Sequence, residues 1–186
     1  MRTEATGFPV TLDLEGQKVL LLAKRGDDGS ELEKKLFLLE RAGAMVVKRS
    51  RFVPEDLDGA RLVMVATRDA RLTRRVFIEA KTRGILIWSS DDPEHSDLAM
   101  PAIVARGKAT IAISTSGQSP ALAAALRAAL ESGFDEKFAR FVLALGRARK
   151  KVRSTEQKFS NRRKALREKL HGFALTTQLH YPDWFK

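Results

Sequence analysis

Lys18-Val-Leu-Leu-Leu-Ala23, then Lys24-Arg-Gly-Asp-Asp-Gly29, then Ser30 ahead of a stripe of Leu32, Leu36 and Leu39, is the stretch that decides the fold. The first run is too short for a helix and ends in turn residues, so it reads as a buried strand. The leucines at helical spacing read as a helix closed by Ala42-Gly43. The same alternation repeats outward. Ala44–Val47 and Leu62–Ala66 are strand-like, a helix runs through Leu72 and Val76, Ile85–Trp88 is a fourth strand, and Ala109–Ile113 is expected as a fifth. Strands alternating with helices predict an α/β fold, a mostly parallel sheet with helices on both faces. Sheets of this kind bind ligands at the carboxyl ends of their strands.

From Ser119 onward the pattern is helical. Ser119 and Pro120 suit an N-cap and a first helical position. Leu122, Ala125, Leu126, Ala129 and Leu130 share one face, and Gly133 ends the helix. Phe138, Leu145, Val152, Phe159 and Leu166 then recur every seven residues, with Phe141 and Val142 beside them. A single-seam heptad is weak as a coiled coil and fits a helical region packing one narrow face. The aromatic tail, Tyr181–Phe185, is expected to dock.

The chain has 186 residues, enough for one domain with an appendage, and 44% hydrophobic content agrees with a packed core. The absence of cysteine excludes a disulfide framework, a thiolate metal site and a cysteine nucleophile. His95, His171 and His180 are too scattered to read as a metal-ligand set. No run reaches the roughly 20 apolar residues of a membrane span, and Met1–Val10 lacks the apolar core of a secretion signal. The expected location is cytoplasmic. The net charge of +11 is uneven: residues 147–170 hold eleven Lys/Arg against Glu156 and Glu168, a net +9, which leaves about +2 elsewhere. Such a charge favours an anionic partner.

Three stretches could carry chemistry. In the turn after strand one, Gly26 and Gly29 with Ser30 would let backbone N–H groups approach a pyrophosphate, although Asp27 and Asp28 lie between the glycines. An ordinary strand–helix loop is the alternative. Trp88-Ser-Ser-Asp91-Asp-Pro-Glu-His95-Ser-Asp97 places four acids and a histidine after the fourth strand, where a carboxylate could accept a proton. The plainer alternative is a solvated Asp-Pro turn. Ser114-Thr-Ser-Gly-Gln-Ser-Pro120 combines hydroxyls, a glycine and a helix start, which suits an anion or simply caps the helix.

Taken together, these stretches resemble the precorrin-2 dehydrogenase / sirohydrochlorin ferrochelatase family, found alone or as the N-terminal part of siroheme synthase. The resemblance runs from Phe8-Pro9 to His171. It rests on Val65-Ala-Thr-Arg-Asp69, on Asp91-Asp-Pro-Glu-His-Ser-Asp-Leu-Ala-Met-Pro-Ala102, and on Ile113-Ser-Thr-Ser-Gly-Gln-Ser-Pro-Ala-Leu-Ala123. It implies a Rossmann-like domain over 1–108, a dimerisation region over 109–146 and a basic helical region over 147–186. The implied reactions are NAD-dependent oxidation of precorrin-2 to sirohydrochlorin and insertion of ferrous iron to give siroheme. Asp91 matches the family's aspartate that serves both, with Asp92 next to it should the register slip. Thr67 matches a threonine beside the dinucleotide, and Ser114, Thr115, Ser116 and Gly117 match the serine-rich loop, Thr115 falling where some members are phosphorylated. The resemblance also implies a homodimer, and the eight carboxylates of precorrin-2 account for the basic charge without nucleic acid or membrane. The chain departs from the family in its turn after strand one and in Trp88, which replaces an asparagine. The alternative is therefore a member that has lost NAD and acts only as a chelatase or as a non-catalytic tetrapyrrole binder.

Overall fold

Four successive residues of β1 (Lys18–Ala23) are buried, a pattern that requires cover on both faces of a strand. The computed structural model describes residues 7–23 and 30–185. Within them β1 pairs in parallel with β2 (Met45–Arg49) and with β3 (Ala60–Ala66), and β3 pairs in parallel with β4 (Leu86–Ser89). The strand order is β2-β1-β3-β4. The pleat sends alternate side chains to opposite faces. Leu20, Leu22, Val63, Val65 and Ile87 pack on one side with Val76 and Ala80 of α2 (Ala70–Thr82) and with Phe52 and Leu57. Val19, Leu21, Leu62, Met64 and Trp88 pack on the other with Leu14 and with Leu32 and Leu39 of α1 (Ser30–Arg41). Each such fully buried aliphatic side chain contributes roughly 1.5–3 kcal/mol relative to exposure, so the parallel sheet is held by two apolar layers.

The chain divides between Met100 and Pro101. In the second unit β5 (Ala102–Arg106) and β6 (Ala109–Ile113) form an antiparallel hairpin. Three helices follow: α3 (Pro120–Gly133), α4 (Glu136–Thr155) and α5 (Phe159–Glu168). Ser119 and Asp135 cap α3 and α4 by accepting the Leu122 and Phe138 N–H groups. Val104, Ala123, Phe134 and Ala139 are the buried apolar residues of this unit. The Arg106 Nε–H donates to the Phe134 carbonyl at 2.7 Å, tying the hairpin to the α3–α4 corner. Gly107 turns the hairpin at φ +55°, and a Cβ there would stand 3.1 Å from that of Ala139.

Several expectations need correction. Ala109–Ile113 does not extend the parallel sheet; it pairs with the preceding Ala102–Arg106 because a two-residue turn lets consecutive strands meet antiparallel. For the same reason the boundary expected at 108/109 cuts a hairpin, and the division falls at 100/101. The boundary expected at 146/147 lies inside α4, whose helix runs through it. The heptad series is split between α4 and α5, leaving Phe159 74% exposed. On α3 the buried residue is Ala123, whereas Leu122, expected on the packed face, is 52% exposed. The tail packs on itself, with Tyr181 and Trp184 both against Phe185, and Trp184 remains 81% exposed.

Candidate functional site

Parallel strands place all their carboxyl ends at one edge. At that edge β3 runs into Thr67 and β4 into Ser90 and Asp91, and the Ser90 N–H donates to the Val65 carbonyl at 2.9 Å. Thr67 is buried and its Oγ1 accepts the Asp69 N–H at 3.4 Å. Asp69 in turn caps α2, its Oδ1 accepting the Leu72 N–H at 3.0 Å. Thr67 and Asp91 therefore come from neighbouring strand ends of one sheet, as the sequence implied. Gly26 and Gly29 lie outside the described residues, and Ser30 opens α1.

The loop after β4 is built by its own polar groups. Ser96 is buried; its Oγ accepts the Ser89 N–H at 2.8 Å and donates to the Asp92 carbonyl at 2.9 Å. The Ser89 hydroxyl donates to the His95 carbonyl at 2.8 Å. Asp92 caps a single 3-10 turn, Pro93–His95, by accepting the His95 N–H. Its carboxylate also meets His95 Nδ1 at 2.8 Å, and the His95 ring stands edge-on to Phe77 of α2 at 5.2 Å. Asp97 closes the loop: its N–H donates to the Ile87 carbonyl at 2.8 Å, and its carboxylate pairs with Lys81 of α2 at 2.8 Å. Asp91 stands apart. It is exposed, it takes no part in these bonds, and its backbone is left-handed at φ 56°. Aspartate is one of the few residue types that tolerate that region.

This arrangement separates the two aspartates that the sequence could not. Asp92 is committed to His95 and to the 3-10 turn, whereas the Asp91 carboxylate is open to a ligand. His95 is a brace for the loop rather than loose polar surface. Among the described residues no group of three or more His, Asp or Glu side chains could hold a metal ion. Ser89, Ser96 and Asp97 do the holding; the stretch stood out in the sequence for its acids, and the part played by the two serines was missed because serines seven residues apart carry no periodic signal.

The serine-rich loop belongs to the second unit. Ser116 (φ 52°) and Gly117 (φ 82°) are both left-handed, and the Gln118 N–H donates to the Thr115 carbonyl at 2.9 Å, which makes a type I′ turn. Thr115 Oγ1 accepts the Ser119 N–H and donates to the Ser119 carbonyl, both at 3.1 Å. Ser114 Oγ accepts the Ser116 N–H. The hydroxyls thus fold the loop and cap α3.

A dinucleotide lies against strand ends through main chain and needs small side chains there. Ala23 and Ala66 end β1 and β3, with Thr67 next, so the residues present fit that group.

A family described as "Putative NAD(P)-binding" matches residues 10–102, and one described as "Sirohaem biosynthesis protein central" matches residues 106–132. The chain is 33% identical to siroheme synthase 1 of Aeromonas hydrophila subsp. hydrophila over 132 residues, covering 71% of this chain and 28% of that protein. It is 30% identical to the siroheme synthase of Photorhabdus laumondii subsp. laumondii over 186 residues, covering 89% and 39%. It therefore spans well under half the length of these relatives. A solved structure titled "SirC, precorrin-2 dehydrogenase" superposes with a TM-score of 0.69 at 22% identity, over 87% of this chain and 88% of that one, and shares its fold. The chain belongs to the precorrin-2 dehydrogenase / sirohydrochlorin ferrochelatase family, with the NAD(P)-binding module of that family followed by its central module.

Proposed function

We propose that this chain works in siroheme formation, oxidising precorrin-2 to sirohydrochlorin with a nicotinamide dinucleotide and inserting ferrous iron into the product as a second reaction. The observation that carries this reading is Asp91. A carboxylate held in left-handed backbone, at the ligand-binding edge of a parallel sheet, with its neighbours tied into a brace, is strain retained at one point. Both reactions remove protons from the macrocycle, dehydrogenation from carbon and metal insertion from ring nitrogens. A carboxylate open to a ligand is suited to accept them.

Thr67, beside Asp91 at the same edge, is assigned to the dinucleotide, with Gly26, Gly29 and Ser30 completing its loop. The bound dinucleotide supplies the hydride acceptor for the oxidation. The brace keeps Asp91 from folding back onto its own loop, because Asp92, Ser89, His95 and Ser96 already consume one another's donors and acceptors. Ser114, Thr115, Ser116 and Gly117 are assigned to the substrate's carboxylates, with Thr115 as a phosphorylation position. The uncompensated charge over residues 147–170 supports attraction of a polycarboxylate: none of those Lys and Arg side chains forms an ion pair among the described residues. The exposed Leu122 on α3 supports pairing with a second copy. Among the described residues no helix is long and apolar enough to cross a membrane.

The test is incubation of the full chain with precorrin-2 and a nicotinamide dinucleotide under anaerobic conditions, followed by absorption spectroscopy. Conversion to the sirohydrochlorin spectrum supports the oxidation. Iron insertion without oxidation would instead favour the chelatase-only alternative, and binding without either reaction would favour a tetrapyrrole carrier.

A further inference from the structure

Phe159, Arg163 and Arg167 stand four residues apart on α5, with Ser160, Lys164 and Glu168 in the row beside them. Side chains so spaced share one face of a helix, and at about 1.5 Å per residue the first row runs for about 12 Å. These six residues line a depression of about 430 Å³. Sites that take one small molecule occupy roughly 300–1,000 Å³. The other side of α5, where Arg162, Ala165 and Leu166 are half-buried, packs on its own unit. The lined face therefore points outward.

Its chemistry has two parts. Phe159 opens the depression with a ring that is 74% exposed, the Arg162 guanidinium lying 6.0 Å from the ring centroid. Beyond it the Arg163, Lys164 and Arg167 side chains are exposed and form no ion pair and no hydrogen bond among the described residues. Glu168 is the one acid of the lining. It stands four residues from Lys164, yet the two form no ion pair, so the face keeps a positive excess. An aromatic ring at one end and free guanidinium groups along the row suit a flat apolar ligand edged with carboxylates. Arginine pairs with such groups through two parallel hydrogen bonds. A nucleic-acid strand would instead stack successive bases on several aromatic side chains, and Phe159 is the sole aromatic residue of α5.

We infer that this face of α5 is a tetrapyrrole-binding site of the second unit, with Phe159 stacked on the ring and Arg163, Lys164 and Arg167 paired with its carboxylates. The identity of the ligand rests on the siroheme reading above. Loss of two charge-assisted pairs translates to a weakening of at least about tenfold.

Titration of the full chain with sirohydrochlorin, followed through the absorption of the ligand, tests it. Arg163→Glu/Arg167→Glu and Phe159→Ala are titrated alongside, with thermal melts confirming the fold. Arg149→Glu/Arg153→Glu on α4 makes the same change of charge outside the depression. The expected result is a loss of at least about tenfold for the α5 double variant, about threefold or more for Phe159→Ala, and less than about threefold for the α4 variant. Unchanged affinity in the two α5 variants, or equal losses in the α4 and α5 double variants, overturns the inference. Precorrin-2 oxidation by the same preparation then leaves the siroheme reading standing. Single-stranded RNA whose binding falls in the α5 variants while sirohydrochlorin binding does not would also overturn it, and assign the face to nucleic acid. A full chain that neither binds sirohydrochlorin nor oxidises precorrin-2 overturns the siroheme reading, and the inference with it.

Discussion

Replacing Asp91 separately by Gly and by Ala should divide its backbone role from its chemical role. At φ 56° an ordinary L-residue pays about 1–2 kcal/mol. Aspartate pays less, because its short polar side chain tolerates the region. Alanine carries the full penalty and contributes no carboxylate. Glycine escapes the penalty but loses roughly 0.5–1 kcal/mol more entropy on folding. The Gly variant should therefore exceed the Ala variant in stability by about 1 kcal/mol, a difference of roughly 2–4 °C in melting temperature for a chain of this size. Buried Trp88 on β4 reports unfolding of the first unit when exposed Trp184 is replaced by Phe. Both Asp91 variants should lose precorrin-2 turnover although one is the more stable. An Ala variant as stable as the Gly variant would refute the left-handed backbone, and with it the account of why an aspartate sits there.

Three further outcomes follow from other parts of the molecule. Ser96→Ala leaves the buried Ser89 N–H without its 2.8 Å acceptor, and should cost about 1–3 kcal/mol by urea denaturation; a loss under about 0.5 kcal/mol would show that the brace is not needed. Gly107→Ala combines a positive φ with a 3.1 Å approach to the Ala139 Cβ, and should destabilise the second unit by about 1–3 kcal/mol, visible as faster amide exchange over Ala102–Ile113. Leu122→Glu places charge on the exposed face of α3; a dimer that pairs there should sediment as a monomer in this variant, whereas an unchanged sedimentation coefficient would place the pairing elsewhere.

The parallel sheet was legible because runs such as Leu20-Leu21-Leu22 and Val63-Met64-Val65 have no polar face, which leaves only a strand covered on both sides. The hairpin was not, since Ala109–Ile113 carries the same kind of apolar run, and whether such a run pairs forward or backward depends on a partner. Its partner, Ala102–Arg106, ends in a charged residue and follows Leu98-Ala-Met-Pro101 without a turn signal that would set it off as a strand. The exposed faces of α3 and the tail were misread because apolar periodicity marks a surface that will be buried without saying by what. At the proposed site, Asp91 and Thr67 were expected from residue type and family resemblance, and the structure places them at neighbouring strand ends. The proposal favours Asp91 over Asp92 on a point invisible in the sequence, which carboxylate His95 engages.

The most direct measurement compares the unmodified chain with Asp91→Asn for sirohydrochlorin formation from precorrin-2, at saturating dinucleotide and with equal dinucleotide affinity verified first. Asn keeps the size of the side chain and its tolerance of left-handed backbone while removing the proton acceptor, so the account predicts rapid conversion by the unmodified chain and a loss of at least about a hundredfold in the variant. Turnover of Asp91→Asn at the unmodified rate would contradict it.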